Sequence, residues 1–400
     1  MKPQFCKIFL LNFFFALSTI LQAQQIEIKA AGKTLPGASS MEDYILLLKN
    51  KRVGVVGNQS SLVGSTHLVD SLLNLDIKIV KVFTPEHGFR GDADAGTHIA
   101  SGKDGITGLE LISLYGNHKK PAKADLFNVD IILFDLQDVG VRFYTYISTL
   151  TYVMEACAEN EIPLIVLDRP NPNGFYIDGP VLRKQHSSFV GLHPVPIVYG
   201  MTIGEYAMMV NGEKWMQNHL ECDLTVIPLR DYDRNAIDIL AIKPSPNLPN
   251  YQSIFLYPSL CLFEGTAVSI GRGTDFPFQV YGHSDFPESN FSFIPESRPG
   301  ASNPKHLGRS CNGYDLRKLA NEPDKQLAKL NLSWILEAYQ NLENADFFNA
   351  YFEKLVGNSK LRQQIIKGES EENIRASWQP ELEQFRKIRS KYLIYPDFNY

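Results

Sequence analysis

No stretch of this 400-residue chain is strongly basic: 39 Lys and Arg stand against 44 Asp and Glu, a net charge of −5. A sequence-independent nucleic-acid binder needs a basic footprint, so that class is excluded. Cysteine is scarce, with five in all and no C-x-x-C pair, which removes zinc-ribbon and thioredoxin-like readings. There is no G-x-G-x-x-G loop for a dinucleotide, no G-x-S-x-G elbow for an esterase and no H-E-x-x-H for a metalloprotease. Gly (28) and Pro (23) hold ordinary shares, so the chain is neither collagen-like nor low-complexity. What is present is 44% hydrophobic residues and 11% aromatics, enough for a packed core. The length fits two domains, or one large domain with an appendage.

Long apolar runs are also lacking, with one exception. Lys2 and Lys7 precede Ile8 to Leu21 (IFLLNFFFALSTIL), followed by Gln22-Ala23-Gln24. That is the pattern of a secretory signal peptide, and the run is too short for a relaxed transmembrane span. Cleavage after Ala23 removes both lysines and no acid, taking the net charge from −5 to −7. The expectation is a protein exported to the periplasm or medium, without stable membrane insertion. Cys6 lies ahead of the apolar core and does not look like a lipid-attachment site. Cys157, Cys222, Cys261 and Cys311 are too scattered for a disulfide framework and read as core.

The remaining pattern alternates strands and helices. Residues 52–57 (RVGVVG), 77–83 (IKIVKVF), 129–136 (VDIILFDL), 163–168 (PLIVLD) and 222–228 (CDLTVIP) read as strands, several apolar throughout as in buried parallel sheets. Helical spacing occupies 66–74, with Thr66 or Ser65 as cap, and roughly 145–160. A third helix is read over 202–216, where Thr202 and Glu205 form a capping box. Gly54 lies inside an apolar run and reads as a close-packing position. A Pro/Asn-rich stretch, residues 243–250 (KPSPNLPN), marks a boundary. The fold class is therefore α/β: a mostly parallel sheet domain over 24–242, then a smaller α+β domain over 243–400. The second has strand-like segments at 266–271 and 277–282 and four helical patterns between 315 and 392.

Open α/β sheets bind ligands beyond the carboxyl ends of their strands. Polar side chains gather at three such ends: Glu86, His87 and Arg90; Asp135, Gln137, Asp138 and Arg142, then Tyr144 and Tyr146; and Asp168, Arg169, Asn171 and Asn173. Asp168 also reads as a turn residue with a partner inside the chain. A hard cation among Asp92, Asp94, Asp135 and Asp138 is the metal reading. His87, His98 and His118 lack ligand spacing, and no metal or cofactor is assigned. A carboxylate mechanism is the default. Glu86 leads as general acid, since Phe83, Pro85 and Phe89 would desolvate it and so favour its protonated form. A second carboxylate would act as base, nucleophile or cation stabiliser, the division of labour in glycoside hydrolysis.

Three strings carry a resemblance: Phe83 to Gly91 (FTPEHGFRG), Phe134 to Tyr146 (FDLQDVGVRFYTY) and Leu167 to Gly174 (LDRPNPNG). With HPVP at 193–196, YGMTIGE at 199–205, EGT at 264–266 and GRGT at 271–274, they resemble a family once catalogued as a domain of unknown function and typified by the NamZ exo-β-N-acetylmuramidases. The resemblance spans almost the whole mature chain. It implies a Rossmann-like N-terminal domain without a nucleotide, a smaller C-terminal domain and an active site in the cleft between them. It implies release of β-1,4-linked N-acetylmuramic acid from the non-reducing end of peptidoglycan-derived muropeptides or disaccharides. Glu86 occupies the family's catalytic glutamate position. Asp135 and Asp168 are nominated beside it, with His87, Arg90, Gln137, Asp138, Asn171, Asn173 and Glu264 around the substrate. Arg142, Arg169 or Arg272 would grip the lactyl carboxylate, while Tyr144, Tyr146 or Phe278 face the sugar. The acetamido group also permits a substrate-assisted route. A glycan-binding protein without turnover, and an esterase or amidase on the same polymer, are the competing functions.

Overall fold

The computed structural model describes residues 27–29, 34–86, 88–90, 102–321, 328–342 and 346–398. The signal-peptide segment, His87, Asp92, Asp94 and His98 lie outside them. In chain order the strands are β1 (Glu27–Lys29), β2 (Val53–Gly57), β3 (Leu62–Val63), β4 (Thr66–His67), β5 (Ile79–Thr84), β6 (Gly102–Lys103) and β7 (Glu110–Ser113). They continue with β8 (Ile131–Asp135), β9 (Leu164–Leu167), β10 (Leu224–Ile227), β11 (Ala236–Asp238), β12 (Val280–His283), β13 (Ser292–Phe293) and β14 (Cys311–Asp315). Seven form one sheet in the order β10-β9-β8-β2-β5-β7-β6, all parallel except the edge pair β6–β7. Strand order reverses between β2 and β8, the doubly wound arrangement. A three-stranded antiparallel sheet, β12-β14-β13, belongs to the C-terminal part.

Alternation along the strands sends side chains to two layers. Val53, Val55, Val82, Leu133, Ile165 and Leu167 pack with Tyr44, Leu48, Leu68 and Leu72 on one face. Val56, Phe83, Ile132, Phe134, Leu164 and Val166 pack on the other against the helices Tyr146–Glu159 and Ile203–Gly212. This second core continues without a break into Leu260, Phe263, Phe278, Phe352 and Leu355, so the two parts of the chain share it. Cys157, Cys222, Cys261 and Cys311 are buried free thiols. No described helix is long and apolar enough to cross a membrane.

Local chemistry sets several boundaries. Thr202 and Glu205 make both bonds of the capping box. The shorter helix Leu68–Leu73 is capped instead by His67, whose side chain accepts from Val69 N; Thr66 belongs to the β3–β4 pair, so neither it nor Ser65 serves as cap. Residues 266–271 make only isolated bridges, through Thr266 and Ser269, and are not a strand. The helix Tyr251–Leu260 carries Pro258 in its last turn and had no clear apolar period to betray it. A Cβ on Gly54 would sit 2.6 Å from Ile132 Cδ1, which is why the strand stays bare there.

Gly140 sharpens the same point near the site. Its φ is +76°, and an added Cβ would fall 2.1 Å from Asn171 Oδ1, whose side chain is buried. Gly140→Ala therefore combines left-handed backbone strain with a steric clash. It is expected to lower unfolding free energy by about 2 kcal/mol, read as a reduced midpoint in urea denaturation at unchanged slope.

Candidate active site

At the carboxyl edge of the sheet, burial separates the nominated acids into two groups. Asp135 and Asp168 are fully buried and Asp138 nearly so. Asp135 is held by Arg169 through Nε (2.6 Å) and Nη2 (2.8 Å). Asp168 accepts from Thr202 Oγ1 (2.8 Å), Gly204 N (2.8 Å), Arg169 N (2.9 Å) and Tyr395 Oη (2.6 Å). Asp138 accepts from Tyr199 Oη and from Gly140 N. Burial pushes the carboxyls of Asp138 and Asp168 up to about 6. The intrachain-partner reading of Asp168 is the one its geometry fits. Asp135 and Asp168, both nominated as catalytic acids, are thus turned toward partners within the protein and do not line the aromatic cleft.

Other nominated side chains are likewise engaged by partners within the protein. Arg142 is fully buried and spends its guanidinium on four carbonyls: Pro180 O (2.9 Å) and Val195 O (2.7 Å) through Nη1, Leu355 O (2.9 Å) and Val356 O (2.7 Å) through Nη2. It ties the sheet domain to the C-terminal part and is not available to a lactyl group. Asn171 donates to Met201 O, and its Oδ1 accepts from Asn173 N. Asn173 donates to Val139 O and Ile254 O. Both amides shape the turn after β9. Arg90 pairs with Asp104 (2.9 Å) and Asp70 (3.5 Å) and stacks on Phe89, away from the cleft-lining residues. Phe89 itself packs edge-on against His67 in the opposite core layer.

The cleft that remains is lined by Glu86, Phe143, Tyr144, Thr145, Tyr146, Ser245, Asn247, Leu248, Tyr257, Arg272 and Phe278. Its rings are mutually ordered: Tyr144 lies edge-on to Tyr146 (4.8 Å) and to Tyr257 (6.1 Å), and Tyr257 edge-on to Phe278 (4.9 Å). Tyr144 Oη donates to Pro244 O (2.8 Å), and Asn58 Nδ2 donates to Tyr146 Oη (2.8 Å). Phe278 has φ +56°, a rare conformation for a bulky residue, held by its N–H on Ile270 O. Such strain gathers at functional sites.

Glu86 enters the cleft from the end of β5, half-buried, and Tyr115 Oη donates to its Oε1 at 2.8 Å. Arg272 donates to Glu264 Oε1 through Nε (2.6 Å), with Nη2 also 2.6 Å from that oxygen. Arg272 also lies 5.2 Å over the Phe278 ring. The Glu264 side chain keeps 25% exposure, unlike the three buried aspartates. Gln137 and Arg169 line a different cavity, with Ser60, Leu62, Pro170 and residues 238–242. Of the residues singled out from sequence, the structure thus gathers Glu86, Tyr144, Tyr146, Arg272, Phe278 and, through Arg272, Glu264. Among the described residues no cluster of three or more His, Cys, Asp or Glu side chains is placed to hold a metal.

Tyr115, Tyr257, Ser245, Asn247 and Leu248 were not singled out from sequence. Tyr115 follows a four-residue strand too short to register, and Ser245 to Leu248 sit in the Pro-rich stretch read only as a boundary. The usable signal was the spacing of β5 and β7, discussed below.

A partly exposed carboxyl set among aromatic rings, on a doubly wound sheet without a nucleotide loop or nucleophile elbow, is the equipment of a glycosidase. Comparison with known proteins agrees. The family models for the N-terminal and C-terminal domains of exo-β-N-acetylmuramidase NamZ match residues 53–252 and 255–395. The chain belongs to the NamZ exo-β-N-acetylmuramidase family. It is 42% identical to the peptidoglycan β-N-acetylmuramidase NamZ of Bacillus subtilis (strain 168), with 89% of each chain covered. Two crystal structures of DUF1343 family proteins from Bacteroides fragilis are similar over 91% of this chain and 99% of theirs. Their TM-scores are 0.84 at 45% identity and 0.77 at 27% identity.

The buried aspartates make a pH prediction. A folded-state carboxyl raised to about 6, against about 4 in the unfolded chain, stabilises the fold fully only below pH 4. That contribution is lost as pH rises through 6. Asp138→Asn keeps an acceptor for Tyr199 and Gly140 but cannot ionise. Between pH 4 and 6.5 its unfolding free energy should decline less than wild type by roughly 2–3 kcal/mol, measured by urea denaturation across that range.

Proposed function

We propose that this chain is an exo-acting glycosidase that releases β-1,4-linked N-acetylmuramic acid from the non-reducing end of peptidoglycan fragments, with Glu86 as general acid. The observation that carries the reading is the Glu86 carboxyl at the mouth of an aromatic cleft, the one nominated acid that lines it directly. The family membership and the activity named for the Bacillus relative support the substrate class. Tyr144 and Tyr257, backed by the more deeply buried Tyr146 and Phe278, give the cleft an aromatic lining for a pyranose ring, and Ser245 and Asn247 add polar groups.

Arg272 is the arginine assigned to the lactyl carboxylate, because it lines the cleft while Arg142 and Arg169 are committed elsewhere. Glu264, bridged to Arg272, is the second carboxylate the cleft offers. Residues 1–23 fit an export signal, and a substrate in the cell wall gives that signal a purpose. The product is a small sugar, so the partner is a muropeptide or disaccharide rather than another protein.

Wild-type protein should release N-acetylmuramic acid from a 4-nitrophenyl β-N-acetylmuramide and from the disaccharide with N-acetylglucosamine. Glu86→Gln should lower kcat on the disaccharide by about 10²–10⁴-fold without lowering the melting temperature. A fully active Gln variant sinks the assignment, as does release of acetate or peptide without sugar. Arg272→Lys keeps the charge and loses the planar fork. It should raise KM for the N-acetylmuramide about tenfold and leave a matched N-acetylglucosaminide, which lacks the lactyl group, as poor a substrate as before. A KM unchanged by this substitution would show that the lactyl group is bound elsewhere.

A further inference from the structure

The pairing of Tyr115 with Glu86 follows from the sheet. In the parallel pair β5–β7, Lys81 faces Glu110, Val82 faces Leu111, Phe83 faces Ile112 and Thr84 faces Ser113. The ladder closes with Leu114 N donating to Thr84 O at 2.8 Å. Carrying that register two residues past the last pair sets Glu86 opposite Tyr115, where the phenol donates to Oε1 at 2.8 Å. Both strands are anchored by buried residues, Val82, Phe83, Ile112 and Leu114, so the donor and acceptor arrive on rigid supports rather than on free loops.

We infer that Tyr115 is the positioning residue for the general acid: its hydroxyl fixes the Glu86 rotamer and dictates which carboxyl oxygen carries the proton to be delivered. This deepens the proposed function and rests on Glu86 being that acid. An oxygen that accepts from a phenol acts as the carbonyl oxygen of a neutral carboxyl group, so the acid proton resides on Oε2. In the reaction that proton moves from Oε2 to the glycosidic oxygen as the C1–O bond breaks and its electron pair goes to the same oxygen. This leaves an oxocarbenium-like C1 whose new C–O bond comes in the end from water, the other proton of which restores the acid. Tyr115 keeps its own proton throughout and, once Oε2 has given up its proton, donates to a carboxylate, a stronger bond than the one it made before. The interaction therefore grows along the reaction coordinate, which is the condition for accelerating the step. Burial holds the phenol above its ordinary range, and once Glu86 has given up its proton the carboxylate beside it raises the phenol further, so Tyr115 stays a donor in both states.

The test is Tyr115→Phe, which keeps the ring and removes the donor. With the disaccharide, kcat should fall about tenfold and KM should change less than about twofold. The alkaline limb of kcat/KM, where the acid proton is lost, should move up by about one pH unit. With the 4-nitrophenyl glycoside, whose leaving group departs with little protonation, the loss should stay within about threefold. A limb that stays in place, or equal losses on both substrates, would reduce Tyr115 to packing and overturn the inference. If the Phe variant is unstable, 3,5-difluorotyrosine at position 115 preserves the shape and sharpens the donor, and the limb should then move down. An unmoved limb there overturns it equally. Glu86→Gln separates the two levels. If it is inactive while the Tyr115 variants leave the limb unmoved, only this inference fails; if it is fully active, the general-acid reading fails first.

Discussion

The Asp135–Arg169 ion pair is the constraint around which the carboxyl edge of the sheet is arranged. Asp135 ends β8 and Arg169 follows the end of β9, so the pair bridges neighbouring strands with both side chains almost wholly out of water. A charge buried without its partner costs several kcal/mol, so each group must be spent on the other. The same demand propagates outward. Asp168 is satisfied by Thr202, Gly204 and Tyr395, and Gln137 is spent on the carbonyls of Asp138 and Pro170. The β8–β9 side of the sheet is thus a polar scaffold. On the β5–β7 side, by contrast, Glu86 remains half-buried and lines the cleft.

Arg142 answers a related problem in another way. Its guanidinium has carbonyl partners rather than a carboxylate, and burial holds it down to about 9. Two of those carbonyls, Leu355 and Val356, come from the helix Phe352–Val356 of the C-terminal part. The next four residues, Phe143 to Tyr146, form one wall of the cleft. Tyr257, which packs against Phe143 and Tyr144, and Phe278 line the cleft from the C-terminal part and share the same apolar core. Pro244 O, held by both Tyr144 and Gln59, ties down the connecting stretch that contributes Ser245, Asn247 and Leu248. The cleft is therefore walled by both parts of the chain and stiffened by hydrogen bonds that no single element supplies.

Most of the sheet was legible because its strands are apolar or alternating runs ended by polar turns: 52–57, 77–83, 129–136, 163–168 and 222–228 each correspond to a strand. The capping box at Thr202 was equally plain. The acids at the strand ends were legible as residues, but their partners were not. A sequence shows that Asp135 and Arg169 lie near strand ends, but not that the sheet sets them side by side with no water. Arg142 was misread for the same cause: a basic residue beside a substrate motif looks like a ligand, and only burial reveals it as a strut. Tyr115 was missed because ELIS is four residues long, too short for a period to emerge. Yet strands paired in parallel keep one offset along their length, so Glu86 and Tyr115 were linked once Lys81 and Glu110 were.

The balance of charge gives the cleft its selectivity problem. With a net charge of −5, an anionic sugar is not drawn in by the molecule's overall field, and screening limits any such field to about 10 Å at 0.1 M salt. Attraction must come from a group within contact distance. Arg272 is already neutralised by Glu264, but both of its short contacts, from Nε and Nη2, go to the single oxygen Oε1. A bidentate carboxylate uses two parallel donors of the fork, and Glu264 does not occupy the guanidinium in that way. A lactyl carboxylate that engaged the remaining edge would add a second acid to one arginine and bring Glu264 into the same network as the bound sugar. Substrates without the lactyl group would leave that network incomplete. Discrimination would then arise from how fully the Glu264–Arg272 pair is engaged, rather than from charge attraction alone.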